Sequence, residues 1–171
     1  MTPRLALNVL FIFGTLVLFP SPAYSQETTE NRQTVVCAIG DSHFEPGSAL
    51  IRHLREELGP GYVVWARGRR GWTTRRWIVS GDFSVSCLGA DFVLVSLGGN
   101  DIHAGHGWLT VKNNIQTLVG GLRVPWGHIV VPRFYLPRLR LGRDGVHLTP
   151  SGARDYARIL ARNVDRAMGV L

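Results

Sequence analysis

Apolar residues come along this chain in short blocks that switch between two periods. Residues 35–39 form an unbroken apolar run stopped by Gly40, the pattern of a parallel strand covered on both faces. Residues 46–58 then carry Leu50, Ile51, Leu54 and Leu58 at helical spacing and end at Gly59-Pro60-Gly61. Residues 62–66 read as a second strand, and residues 91–97 are the clearest strand of all. Val111, Ile115, Leu118, Val119 and Leu122 mark another helix, and residues 129–131 make a fourth strand ended by Pro132. The last helix opens with Thr149 as N-cap and Pro150 in its first position, and buries Ala153, Tyr156, Ala157, Leu160 and Val164. Residues 75–89, with Trp77, Ile78, Val79, Phe83 and Val85, fit no clean period. Strands alternating with helices predict an α/β domain over residues 34–171, with a parallel sheet, right-handed crossovers and three α/β/α layers.

The first segment has a different character. Arg4 precedes an almost wholly apolar stretch at residues 5–19, and Pro20 begins a helix-breaking stretch that ends in Ala23-Tyr24-Ser25. This is the layout of a secretory signal peptide over residues 1–25, cleaved before Gln26. The rival reading, a membrane anchor, needs ~20 apolar residues, more than this run provides. No cysteine stands at the cleavage point, which disfavours a lipoprotein. Residues 26–33 are polar and aperiodic and read as a disordered leader. The mature protein is expected to be secreted or periplasmic, without stable membrane insertion.

At 171 residues the chain holds one domain, large enough to bury a core unaided. Its formal charge is +7, and +6 once the segment carrying Arg4 is removed; Lys112 is the only lysine, so the charge is almost all arginine. A basic exported protein suits an acidic polymer or anionic surface, while genome composition explains arginine richness equally well. Export disfavours nucleic acid as a partner. Cys37 and Cys87 are the only cysteines. An oxidising compartment would permit them to pair. Cys37 lies mid-strand and Cys87 several residues before the next strand, so two buried free thiols are expected instead.

Three polar stretches follow apolar runs or precede a helix: Gly40-Asp41-Ser42, Gly98-Gly99-Asn100-Asp101 and Asp144-Gly145-Val146-His147. A serine hydroxyl is a poor nucleophile at neutral pH. It needs an imidazole to take its proton and a carboxylate to hold that imidazole in the right tautomer. Ser42, His147 and Asp144 supply these groups, although Ser42 also suits a helix N-cap and the Asp144–His147 pair a capping loop. An oxyanion formed from an ester carbonyl needs donors, for which the Asn100 amide and the Gly71 N–H are candidates.

This ordered set of blocks resembles the SGNH/GDSL hydrolase family, whose pattern is Gly-Asp-Ser, a Gly, Gly-x-Asn-Asp and a closing Asp-x-x-His. The resemblance implies a flavodoxin-like α/β/α sandwich and a serine esterase. It makes Ser42 the nucleophile, places the Ser42 amide, Gly71 and Asn100 around the oxyanion, and completes the triad with Asp144 and His147. No cofactor and no metal are implied. His103 and His106 have a spacing that suits a metal, but no further ligand set is evident and serine chemistry needs none. There is no Gly-x-Ser-x-Gly elbow of the lipase type.

The chain departs from the family pattern in two places. Ala66 stands where the second block usually has Asn. Only residues 132–143 separate the fourth strand from the Asp-x-x-His block, too few for the usual helix and fifth strand. The sheet is therefore expected to have about four strands and an exposed flank able to pair with a second copy. His43 after the nucleophile resembles the Gly-Asp-Ser-His variant of peptidoglycan O-acetylesterases. With Trp72, Arg70 and His103 it is a candidate for substrate contact. The resulting expectation is an exported esterase removing a short acyl group, such as acetyl, from a carbohydrate or cell-wall glycan. A lysophospholipase or thioesterase for longer chains, and a non-catalytic glycan-binding module, are the alternatives.

Overall fold

The computed structural model describes residues 32–124, 128–132 and 140–169. The segment expected to be a signal peptide and nearly all of the expected leader lie outside them, as does most of the short interval before Asp144. Among the described residues four strands form one all-parallel sheet in the order β2-β1-β3-β4: β1 Thr34–Gly40, β2 Tyr62–Gly68, β3 Phe92–Ser96 and β4 Ile129–Val130. Among the described residues six α-helices connect or follow them: α1 Ala49–Leu58, α2 Thr74–Ser80, α3 Asp82–Ser86, α4 Gly99–His103, α5 Trp108–Gly120 and α6 Pro150–Ala167. The expected α/β architecture and strand count are both present.

Because successive strand residues point to opposite faces, the central strands feed two cores. Val36 and Ala38 of β1 and Leu94 of β3 pack against Leu50, Ile51 and Leu54 of α1 and Tyr156, Ala157, Leu160 and Val164 of α6. Cys37, Ile39, Val93 and Val95 face the other way, onto Trp77, Phe83 and Leu118 from α2, α3 and α5. This double burial explains why the strand runs are uniformly apolar rather than alternating. Leu160 and Val164 are fully buried, and truncating Leu160 to Ala would cost about 2–5 kcal/mol.

Several local details differ from the sequence reading. Helix α1 begins at Ala49, because the Ser48 hydroxyl accepts from the Ile51 N–H and caps it there. The aperiodic residues after Gly71 fold as two short helices, α2 and α3, separated by Gly81 in the left-handed region at φ 70°. Each is too short to display a hydrophobic period. Strand β4 is two residues long and forms the edge of the sheet among the described residues.

The expectation of free thiols is wrong: Cys37 and Cys87 form a disulfide, with Cα atoms 5.5 Å apart. Helix α3 carries the chain back under β1, and Cys87 directly follows it, facing the strand side on which Cys37 lies. Without α3 in view, the separation along the sequence suggested distance in space.

Candidate active site

The carboxyl edge of the sheet gathers the chemistry. Gly40 of β1 is in register with Gly68 of β2 and Ser96 of β3. Ser42, Gly71 and Asn100 therefore leave the same edge from three adjacent strands, the edge at which open α/β sheets bind ligands. The turn carrying Ser42 is compact. Asp41 caps it by accepting from the His43 N–H at 3.0 Å, and Phe44 tucks beneath it almost wholly buried. Two glycines make room: a Cβ on Gly40 would overlap the Phe44 ring, and one on Gly68 would overlap the backbone of Phe44 and Glu45.

Ser42 lies 3.3 Å, Oγ to Nε2, from His147, and His147 Nδ1 lies 2.6 Å from Asp144 Oδ2. With Nδ1–H donating to the carboxylate, Nε2 is left as the acceptor for the serine proton. The other oxygen of Asp144 accepts from the backbone N–H of Val146 at 3.0 Å and of His147 at 2.9 Å. The hydrogen bond from the His147 side chain, followed by these backbone donors, holds the Asp144 carboxyl well below the ordinary carboxylate range. Asp144 thus stays ionised through any pH at which an ester enzyme works. Asp144 and His147 are about half exposed, so this pair faces open solvent.

The other two blocks are clamped together. Asn100, in the first turn of α4, donates through Nδ2 to the Trp72 carbonyl at 3.0 Å, which orients the amide and leaves its second N–H unused by this contact. Neighbouring Asp101 is buried; its carboxylate accepts from the Thr74 N–H at 2.9 Å and the Thr74 hydroxyl at 2.5 Å. Asn114 of α5 donates to that same hydroxyl. Gly71 has φ 68°, the left-handed conformation that favours glycine at this turn. The sequence reading missed Asp101, Thr74 and Asn114 as supports, although Asp101 stands within the same block as Asn100.

Ser42 and His147 open onto a cavity of about 450 Å³ whose other walls are Glu45, Gly47, Ser48 and Arg70. Arg70 joins Ser42 there and pairs with Glu45 at 3.0 Å. Glu45 and Ser48 were not singled out from sequence; the opposite charges of Glu45 and Arg70 are visible only once the two loops meet. Trp72 and His103 do not line this cavity. The Trp72 ring is flanked by the guanidinium groups of Arg69 and Arg76, 5.6 and 5.2 Å from its centroid, and meets Trp77 edge-on. His103 is the exposed last residue of α4. His43 differs from its expected part in substrate contact: both ring nitrogens are occupied within the chain, by Asp41 and by the Leu148 N–H. Among the described residues no group of three or more His, Cys, Asp or Glu side chains is gathered to hold a metal ion.

A larger, mostly apolar cavity of about 710 Å³ lies along α5, lined by residues such as Val95, Leu97, Trp108, Ile115 and Val119. Among the described residues it shares no lining residue with the Ser42 cavity.

No family model matches the chain, and no curated protein matches it. Solved structures do. A lipase/acylhydrolase from Enterococcus faecalis superposes with a TM-score of 0.61 at 15% identity, covering 78% of this chain and 96% of that one. A carbohydrate acetylesterase family member from Sinorhizobium meliloti superposes at 0.59 with 19% identity, covering 80% and 100%. A GDSL-like lipase from Bacteroides thetaiotaomicron superposes at 0.57 with 16% identity, covering 78% and 89%. The chain thus has the flavodoxin-like α/β/α fold of the GDSL/SGNH ester hydrolases.

Proposed function

We propose that this chain is an exported serine esterase that removes a short acyl group, acetyl above all, from a carbohydrate or cell-wall glycan. The observation that carries this reading is the hydrogen-bonded line Ser42–His147–Asp144, assembled from two segments 105 residues apart. In the reaction Ser42 Oγ attacks the ester carbonyl while His147 Nε2 takes its proton. The Ser42 amide, the Gly71 N–H and the Asn100 amide stabilise the oxyanion. His147 then protonates the departing alcohol, leaving an acyl-enzyme. Water attacks that ester with His147 again as base, releasing the acid and restoring Ser42.

Three features support a short acyl group on a sugar. The cavity at Ser42 is small, bordered by Glu45, Ser48 and Arg70, and well suited to hydroxyl and carboxylate groups. The triad is open enough for a polymer to reach it. One of the structural neighbours is described as a carbohydrate acetylesterase family member. The apolar cavity along α5 favours the second reading, an enzyme for longer acyl chains such as a lysophospholipase or thioesterase, but its lining includes neither Ser42 nor His147. Export rests on the charge and hydropathy of residues 1–25. Pairing of two copies through the β4 edge belongs to the same proposal, and sedimentation of the purified protein tests it.

The test is hydrolysis of p-nitrophenyl acetate, butyrate and octanoate by the protein starting at Gln26, with Ser42→Ala alongside. Activity that falls with chain length and disappears in the variant supports the short-acyl esterase. Activity rising toward octanoate supports the longer-chain reading. Wild-type rates equal to those of Ser42→Ala on every ester, with binding to wall glycan, would replace both with the non-catalytic module.

A further inference from the structure

The catalytic Asp–His pair has a twin. Asp41 Oδ1 lies 2.8 Å from His43 Nδ1, as Asp144 Oδ2 lies 2.6 Å from His147 Nδ1, and the two imidazoles are 5.5 Å apart centre to centre. In both rings Nδ1–H faces a carboxylate and Nε2 is left to accept. For His147 the donor is Ser42; for His43 it is the backbone N–H of Leu148, at 3.1 Å. Leu148 directly follows His147. The His43 side chain is four-fifths buried and Asp41 is buried, so this second pair is part of the support of the site and not its open face.

The loop that bears His147 is otherwise closed mainly on itself. Gly142 donates to the His147 carbonyl at 2.7 Å, Thr149 donates to the Arg140 carbonyl at 2.9 Å, and Leu141 and Leu148 form an antiparallel bridge. Among the described residues, only two hydrogen bonds join this loop to the nucleophile turn: Ser42 to His147 and Leu148 to His43. The first cannot last through a catalytic cycle, because an acylated Ser42 Oγ has no proton to donate. The second is untouched by acylation.

We propose that His43, oriented by Asp41, is a positioning residue that keeps His147 in register with the nucleophile turn while Ser42 is acylated, and so serves the deacylation step. This inference rests on the esterase reading. Without the His43–Leu148 tie the loop is free to drift just when His147 must hold a water against the acyl carbonyl, and a displacement of about 1 Å is enough to slow such a step 10²-fold.

The test compares wild type, His43→Leu, His43→Gln and Asp41→Asn on p-nitrophenyl acetate, in the steady state and in the first turnover. His43→Leu removes the acceptor for the Leu148 N–H, and His43→Gln supplies a carbonyl oxygen in its place. Asp41→Asn keeps the shape of the turn but puts a neutral amide in place of the carboxylate beside His43 Nδ1, so that the Nδ1–H tautomer is held less strongly. For His43→Leu and Asp41→Asn the expected result is a fall in kcat of roughly 10–100-fold. KM falls with it, kcat/KM changes much less, and an initial burst of about one p-nitrophenol per enzyme marks the accumulated acyl-enzyme. His43→Gln should recover most of kcat. Faster hydrogen exchange of the Leu148 amide in His43→Leu reports the lost contact independently of turnover. If His43→Leu proves unfolded, Asp41→Asn carries the test alone. Equal falls in kcat and kcat/KM without a burst, or wild-type kinetics in both His43→Leu and Asp41→Asn, would overturn the inference while leaving the esterase intact. A wild type no faster than Ser42→Ala removes the esterase reading and this inference with it.

Discussion

Gly68→Ala offers a sharp test of how the Ser42 turn is seated. A methyl group at this position would lie 2.1 Å from the Phe44 carbonyl carbon, 2.2 Å from the Glu45 nitrogen and 2.5 Å from the Asp41 oxygen. All three are backbone atoms, so no side chain can rotate away. Restoring an ordinary carbon contact of about 3.5 Å means moving the Ser42 turn, or the end of β2, by roughly 1.4 Å. Overpacking of this kind costs about 1–3 kcal/mol. A displacement above 1 Å at the nucleophile costs roughly 10²-fold or more in rate, because attack requires Ser42 within reach of both the carbonyl and His147. The assays are urea unfolding and kcat/KM on p-nitrophenyl acetate, with Gly61→Ala as control. Gly61, at the other end of β2, has nothing within 4 Å of its would-be Cβ and is not in the left-handed region. Its substitution should leave the rate unchanged and stability within about 1 kcal/mol. A Gly68→Ala protein with wild-type rate and stability would refute the packing of the nucleophile turn on β2.

Three further outcomes are expected. Asn100→Ala should lower kcat on p-nitrophenyl acetate by about 10²–10³-fold with little change in KM, the usual loss for one oxyanion donor; an unchanged kcat would remove Asn100 from that role. Burial, with a smaller contribution from Asp41, pushes the Tyr156 hydroxyl up to about 12 even though its hydrogen bond with Ser96 acts the other way. The unfolded chain then loses this proton near pH 10 while the folded one keeps it. Stability should fall by up to about 1.4 kcal/mol per pH unit between pH 10 and 12, and Tyr156→Phe should flatten that fall in urea unfolding. Replacing Cys37 and Cys87 together by Ala should destabilise by about 2–4 kcal/mol, since the bridge closes a long loop; a urea midpoint insensitive to dithiothreitol in the wild type would contradict the pairing.

Much of this arrangement was legible in the sequence because its signals are local. Gly40 stopping an apolar run, Thr149-Pro150 opening α6, and the uniform burial of residues 92–96 each declare an element within a few residues. The line from Ser42 to His147 to Asp144 was visible from residue types, because few other roles call for that combination in that order. What was not legible is set by neighbours distant in sequence. Helices α2 and α3 are too short to show a period, so the return of Cys87 toward Cys37 was hidden. His43 is a candidate for substrate contact through the resemblance of Gly-Asp-Ser-His, whereas its orientation is decided by Asp41 and by a backbone N–H 105 residues away. Trp72 is a candidate for substrate contact by its place beside Gly71, yet Arg69 and Arg76 already flank its ring.

The separation between the two halves of the site also bears on how the protein reaches its working state. Strands β1 and β2 pair in a register, Thr34 with Tyr62, that closes a short stretch of chain around α1. Bringing Ser42 to His147 closes 105 residues, about 1 kcal/mol more costly in chain entropy, and depends on α6 having docked on α1. Contacts of high sequence separation form slowly, and these two loops meet at the exposed rim of the sheet. During refolding, ester hydrolysis should therefore return after the circular dichroism of the sheet and helices. Under mild denaturant it should be the first property lost, as the rim parts before the layers beneath it.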